Sequence, residues 1–165
     1  MEESVEKRLP WKAERSASFW ERKRSFTDFL ATSFALLEQE VPAVYALMCR
    51  QLAPRAIVLR VDADTVHVVF SAARAAFVQR PPRIVDVELR TTHATVLRVI
   101  DAETTLADAV LADSLELRGH LDALVAFHDG LMTYVHGAVR APSFPRLLRT
   151  YRETSHEFER SQHGG

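Results

Sequence analysis

Histidine is the residue type in this chain best able to hold a metal or move a proton, and seven are present. A zinc site needs ligands one helical turn apart or paired cysteines across a tight turn. No two histidines stand four residues apart, no HExxH occurs, and the one cysteine, Cys49, rules out a CxxC pair. His120, His128 and His136 recur every eight residues, which fans them around a helix instead of aiming them at one ion. No metal and no other cofactor is expected. Nucleophilic chemistry fares no better: there is no GxSxG elbow, and five glycines in all leave no phosphate-cradling loop. Asp86 and Glu88 share a strand face, but nothing brings them into a pocket as an acid pair. Cys49, set among Val44, Leu47, Met48 and Leu52, reads as a small core residue, not an activated thiol. No catalytic residue is expected.

Two histidines lie in apolar surroundings. A long helix is expected from about Leu121 to Val139, with Leu121, Leu124, Val125, His128, Leu131, Met132, Val135 and Val139 on one face. His128 on that face is either a buried neutral imidazole bonded to a carbonyl or a polar tip meeting a ligand hydroxyl or carboxylate. His93, one turn before Val96 and Leu97, has the same two readings. Phe127 and Tyr134 flank the face, while Asp122, Asp129 and Thr133 mark the solvent side. Phe127, Leu131 and Tyr134 belong either to ordinary core or to the border of a ligand cavity or an oligomer contact.

The elements that position these residues follow from periodicity. Residues 1–15 are dense in charge and without sustained period, an expected mobile arm, and residues 161–165 an expected disordered tail. One domain is expected over residues 16–160, beginning with a helical extension. Phe19, Phe26, Phe29, Leu30, Phe34 and Leu37 recur at helical steps, and Pro42 suits the first turn of a second helix that Pro54 ends. The period then becomes two: Ile57, Leu59 and Val61, then Val66, Val68 and Phe70, joined by Asp62-Ala63-Asp64-Thr65 as a hairpin. Ser71 to Arg80 is less regular, and a third strand is expected over Ile84–Leu89. Thr91 or Thr92 caps a short helix with Val96, Leu97, Val99 and Ile100. Thr105 with Asp108 resembles a capping box for another short helix through Leu111. Ser114–Arg118 alternates as a fourth strand ending at Gly119, and after the long helix Pro142 and Pro145 precede a last one with Leu147, Leu148 and Tyr151. The class is α+β, a largely antiparallel sheet of four to five strands with helices on one face.

The segment VDVELRTTHATVLRVIDAETTLADAVLADSLELRGHLDAL, Val85 to Leu124, resembles the sterol carrier protein (SCP-2 sterol transfer) family in its order of strand, two short helices, strand, glycine and helix. In that family an acidic residue opens a strand, matching Asp86, and a strand-to-helix glycine matches Gly119. The chain has Asp101-Ala102-Glu103 and Asp113 where the family usually has glycines, and its N- and C-terminal helices exceed the minimal domain. The resemblance implies a stand-alone, bacterial-type domain that binds or transfers a sterol, fatty acyl chain or other lipid in an apolar tunnel, without catalysis. The residues it would bring to that tunnel are Phe70, Val87, Leu89, Leu97, Ile100 and Leu106. Val110, Leu115, Leu117 and Leu124 join them from the following elements, and Phe127, His128, Leu131 and Tyr134 from the long helix.

An apolar small molecule is thus the expected partner. A protein partner or second copy through the N-terminal helices, which carry Phe19, Trp20, Phe26 and Phe29, is the competing expectation, and an enzyme using His93 and His128 on an apolar substrate a third. Arg140, Arg146, Arg149 and Arg152 around Phe144, Leu147, Leu148 and Tyr151 form either a solvated basic face or a peripheral membrane contact, and Arg22, Lys23 and Arg24 beside Trp20 another. A net charge of −1 and no basic–aromatic reader motif argue against nucleic acid. A charged N-terminus, no 20-residue apolar run and a lone cysteine lead to an expected cytoplasmic location.

Overall fold

The computed structural model describes residues 26–162. The expected arm, the pair Phe19 and Trp20, the basic run Arg22–Arg24, and positions 163–165 of the expected tail lie outside those residues. Among the described residues six helices and five strands follow one another: α1 (Phe26–Glu40), α2 (Pro42–Leu52), β1 (Ala56–Val61), β2 (Asp64–Phe70), β3 (Ala75–Val78), β4 (Val87–Thr91), α3 (His93–Ile100), α4 (Leu106–Leu111), β5 (Leu115–Gly119), α5 (Leu121–Arg140) and α6 (Phe144–Gln162). The sheet order is β3-β2-β1-β4-β5, with β1 and β4 parallel and every other pair antiparallel. The α+β class and mostly antiparallel sheet expected from the sequence are what the chain adopts.

Local chemistry explains the boundaries. Pro42 opens α2, where its missing N–H is no loss. Thr92 caps α3 by accepting the Thr95 N–H, and Thr105 caps α4 by accepting that of Asp108 while its own hydroxyl bonds the Asp108 carboxylate at 2.7 Å. The Asp86 carboxylate accepts the Ala56 N–H at 2.8 Å, and the Asp86 N–H bonds the Ala56 carbonyl, so this residue locks the entry to β4 beside the start of β1.

Two strands depart from expectation. The stretch Ser71–Arg80 contains β3: Ser71 and Arg74 close a tight turn, and Ala75–Val78 pairs back on β2. Its composition hides it, because two alanines carry little strand preference, and the Ala75 N–H is drawn in by the Tyr45 hydroxyl of α2. The third expected strand begins at Val87 instead of Ile84, which is exposed along with Val85. Only from Val87 on does β4 find β1 and β5 to pair with.

On one face of the sheet Arg60 bonds Glu88 at 2.9 Å, with Arg90 nearby and Arg118 holding Glu116. This solvent-side ladder occupies Glu88, and the Arg60 guanidinium holds its carboxyl below the usual carboxylate range. Ile57, Val61, Val68, Phe70 and Leu89 face the other way, toward the helices. Cys49 is buried, and burial raises its thiol pKa.

Ala102 and Asp113 both adopt a left-handed backbone, with φ of 57° and 56°. These are the two turns where the sterol carrier resemblance leads one to expect glycine. A Cβ there costs on the order of 1 kcal/mol or more. Ala102→Gly is therefore expected to stabilise the chain by about 0.5–1 kcal/mol, with a smaller gain for Asp113→Gly because aspartate tolerates this region better. Urea midpoints at constant slope would show it; a lower midpoint for Ala102→Gly would mean that the turn is not strained.

Candidate functional site

Between the apolar sheet face and the helices lies a cavity of about 500 Å³. Phe26, Phe29, Leu30 and Phe34 of α1 and Met48 and Leu52 of α2 form one part of its wall. Val96, Val99 and Ile100 of α3 and Leu106 of α4 form another, and Phe127, Leu131, Tyr134 and Val135 of α5 a third. The α5–α6 junction supplies Val139, Pro145 and Leu148; the first two are exposed to solvent, which places them on the rim.

The few polar groups in the wall already have protein partners. Thr91 Oγ1 donates to the Ser114 carbonyl at 2.9 Å, and Thr95 Oγ1 accepts from Thr92 Oγ1 at 3.1 Å. The Tyr134 hydroxyl donates to Ser33 Oγ at 2.9 Å, and Ser33 donates to the Leu30 carbonyl. What remains free toward the cavity is hydrocarbon, a surface that gains from excluding water.

Helix α6 holds the wall in place. Ser143 bonds the Glu40 carboxylate through both its N–H and its hydroxyl, fixing the start of α6 to the end of α1. Arg152 grips Asp101 with two hydrogen bonds of 2.6 Å, joining α6 to the end of α3 and holding the Asp101 carboxyl below its ordinary pKa. Tyr151 stacks on Phe29 with centroids 4.2 Å apart, and its hydroxyl meets His93 Nδ1 at 2.5 Å.

Of the residues expected at a tunnel, the fold brings Phe70, Leu89, Ile100, Leu106, Leu115, Phe127, Leu131 and Tyr134 to the cavity wall. Val87 is instead fully buried within the core, and Leu97, Leu117 and Leu124 pack against that core. Val110 is exposed. His128 is corrected outright: it stands on the outer surface beside Asp129, with its side chain 60% exposed. Leu121, Val125 and Met132 are exposed with it, while Leu124 and Leu131 face the core and Val135 and Val139 border the cavity from its exposed rim, so the expected inward face of α5 is split between cavity and solvent. Thr133, expected in solvent, bonds Gln51 of α2 at 2.6 Å.

The reason lies in the small residues. Ala123, Gly130 and Gly137, at seven-residue steps, are buried and let α2 and α1 come close. A Cβ on Gly130 would sit 2.5 Å from Leu52 Cγ, and one on Gly137 would sit 2.9 Å from side-chain atoms of Leu37 and Val44. Shape, not hydropathy, sets the rotation of this helix. That stripe of small residues was the signal available in the sequence. Also unforeseen are the cavity contributions of Phe26 and Phe29, which are buried and so are not the free aromatic surface expected of the N-terminal helices.

His93 and His128 do not converge. His93 lies near Asp62 and Asp64, 3.9 and 3.8 Å from its Nε2, and both carboxylates are engaged by backbone N–H groups, of His93 and Phe26 respectively. Among the described residues no three His, Cys, Asp or Glu side chains are grouped to hold a metal ion, and no helix is long and apolar enough to cross a membrane.

Comparison with known proteins gives no match to a family model and none to a curated protein. Solved structures do match. The UbiJ-SCP2 ubiquinone synthesis protein aligns over 68% of this chain and 94% of its own length, with a TM-score of 0.51 and 15% identity. The chain has the sterol carrier fold. The sterol carrier protein domain 2 of Helicoverpa armigera also aligns, over 66% of this chain and 89% of its own, with a TM-score of 0.44 and 11% identity. In this version of the sterol carrier fold Gly119 occupies the strand-to-helix corner, and the opening acid, Asp86, is held beside it.

All three tyrosines of the chain are tied into this framework. Burial pushes Tyr134 up to about 12 and raises Tyr45 and Tyr151 as well. The native state thus keeps phenol protons that an unfolded chain releases near pH 10. The associated stability is complete below about pH 10 and is lost as the pH rises through the folded values. Absorbance at 295 nm is expected to report ionisation of Tyr134 and Tyr151 only as circular dichroism is lost. Phenolate from all three tyrosines at about pH 10 in a still-folded chain would contradict this.

Proposed function

We propose that the chain binds and carries an apolar molecule, a sterol, fatty acyl chain or other lipid of that bulk, in the cavity between its sheet and helices, without catalysing a reaction. The observation that carries this reading is the cavity itself: about 500 Å³ of space whose wall is hydrocarbon and whose hydroxyls are already engaged. A volume of this size lies within the roughly 300–1,000 Å³ of small-molecule sites. An empty apolar void would cost stability, and an apolar guest removes that cost. The exposed Val139 and Pro145 offer the route in and out. The sterol carrier fold supports the reading by analogy, and the ligand's identity within the apolar class is left to chemistry.

The test is titration of the delipidated protein with a fluorescent long-chain fatty acid, followed by competition with unlabelled fatty acid and with a sterol. Saturable one-to-one uptake, displaced by at least one of the two, is expected. Absence of uptake by a folded protein would overturn the proposal.

A further inference from the structure

Helix α5 is apolar around more of its circumference than the described residues cover. Leu121, Val125, Met132, Val135 and Val139 are exposed, the two outermost by 78% and 82%. With the exposed His128 they succeed one another at steps of four, three, four, three and four residues. A mean step of 3.6 keeps such a row on one side of a helix, here along about 27 Å at 1.5 Å per residue. This is the spacing of the residues that interlock between paired helices, and single scattered apolar side chains would not produce it.

We propose that this ridge packs against the same ridge of a second copy of the chain, antiparallel about a two-fold axis near the middle of α5. Three features favour a second copy in that orientation. The row is self-complementary: running antiparallel, Leu121 meets Val139, Val125 meets Val135, and His128 meets Met132, so each contact occurs twice and the assembly closes. The fixed charges beside the ends of the row are opposite, Asp122 at the start and Arg140 at the end. An antiparallel pair brings Asp122 of each helix beside Arg140 of the other, whereas a parallel pair sets Asp122 against Asp122 and Arg140 against Arg140. The helix dipoles also oppose one another in the antiparallel arrangement. His128 with Asp129 at the centre supplies the single polar position that fixes register in such pairs. The pairing needs no ligand in the cavity, but it shares Val135 and Val139 with the cavity rim, so entry of a guest past Val139 requires the monomer.

Sedimentation velocity on the full chain, from low micromolar to submillimolar concentration, tests it. The weight-average mass should rise from 18.7 kDa toward twice that value. Val125→Glu and Met132→Glu, exposed and outside the cavity wall, should each keep the circular dichroism spectrum and melting temperature of the isolated domain and weaken association at least tenfold. Orientation is read by oxidation: the Val125→Cys and Val135→Cys proteins should cross-link to each other when mixed and not with themselves, and Cys49 is buried out of reach. A monomer at every concentration overturns the proposal, as does a dimer indifferent to both glutamates or Val125→Cys cross-linking with itself. A monomer that instead sediments with phosphatidylserine vesicles, and stops doing so in the glutamate variants, assigns the ridge to a membrane and overturns it equally.

Discussion

Leu131→Trp is expected to weaken uptake of a long-chain fatty acid at least tenfold, about 1.4 kcal/mol or more, while leaving the fold intact. Leu131 lies on the cavity wall, facing the sheet from α5. In a close-packed core a larger side chain forces neighbours off their rotamers and costs about 1–3 kcal/mol. Here the indole has empty space to enter, so stability should stay within about 1 kcal/mol of the parent or rise as the void fills. Loss of binding with retained stability separates an obstructed cavity from a damaged protein. Leu111→Trp is the control, since Leu111 is exposed and forms no part of the wall. Undiminished uptake by Leu131→Trp would mean that the apolar guest sits elsewhere.

The second large effect concerns the corner between β5 and α5. Gly119→Ala should destabilise the chain by about 2–3 kcal/mol, since a Cβ there would lie 2.5 Å from the Asp86 carbonyl oxygen and 3.2 Å from Leu124 Cδ2. The close neighbour is backbone, and Asp86 is pinned to Ala56 by two hydrogen bonds, so β4 cannot simply move aside. For a chain of this length the melting temperature would fall by roughly 4–12 °C. An unchanged melting temperature would show that the corner opens freely. The alanine's better intrinsic propensity does not offset a backbone collision of this size.

What the sequence revealed and what it concealed have physical causes. Caps at Thr92 and Thr105, a hairpin turn (at Asp62-Ala63, since the expected Asp64 and Thr65 already pair in β2) and the proline at the head of α2 were legible because each acts within a few residues of itself. Gly119 and Asp86 were legible only through resemblance, because their partners lie 30 or so residues away. Strand β3 escaped because its pairing with β2, not its alanines, makes it a strand. The rotation of α5 escaped because hydropathy favoured the row from Leu121 to Val139, while the decisive residues were Gly130 and Gly137, which have no side chain to count. Eight of the expected ligand residues reached the cavity wall: Phe70, Leu89 and Leu115 by strand alternation, and five others from the apolar faces of helices. The cavity itself is a remainder left by packing helices on a sheet, and no local pattern encodes a remainder.

Native mass spectrometry of the purified chain, followed by solvent extraction of whatever it releases, tests the central claim most directly. The account predicts a one-to-one adduct that is apolar on extraction, or its appearance on adding a fatty acid or sterol to delipidated protein. A clean apo mass that takes up neither, from protein that remains folded, would contradict it.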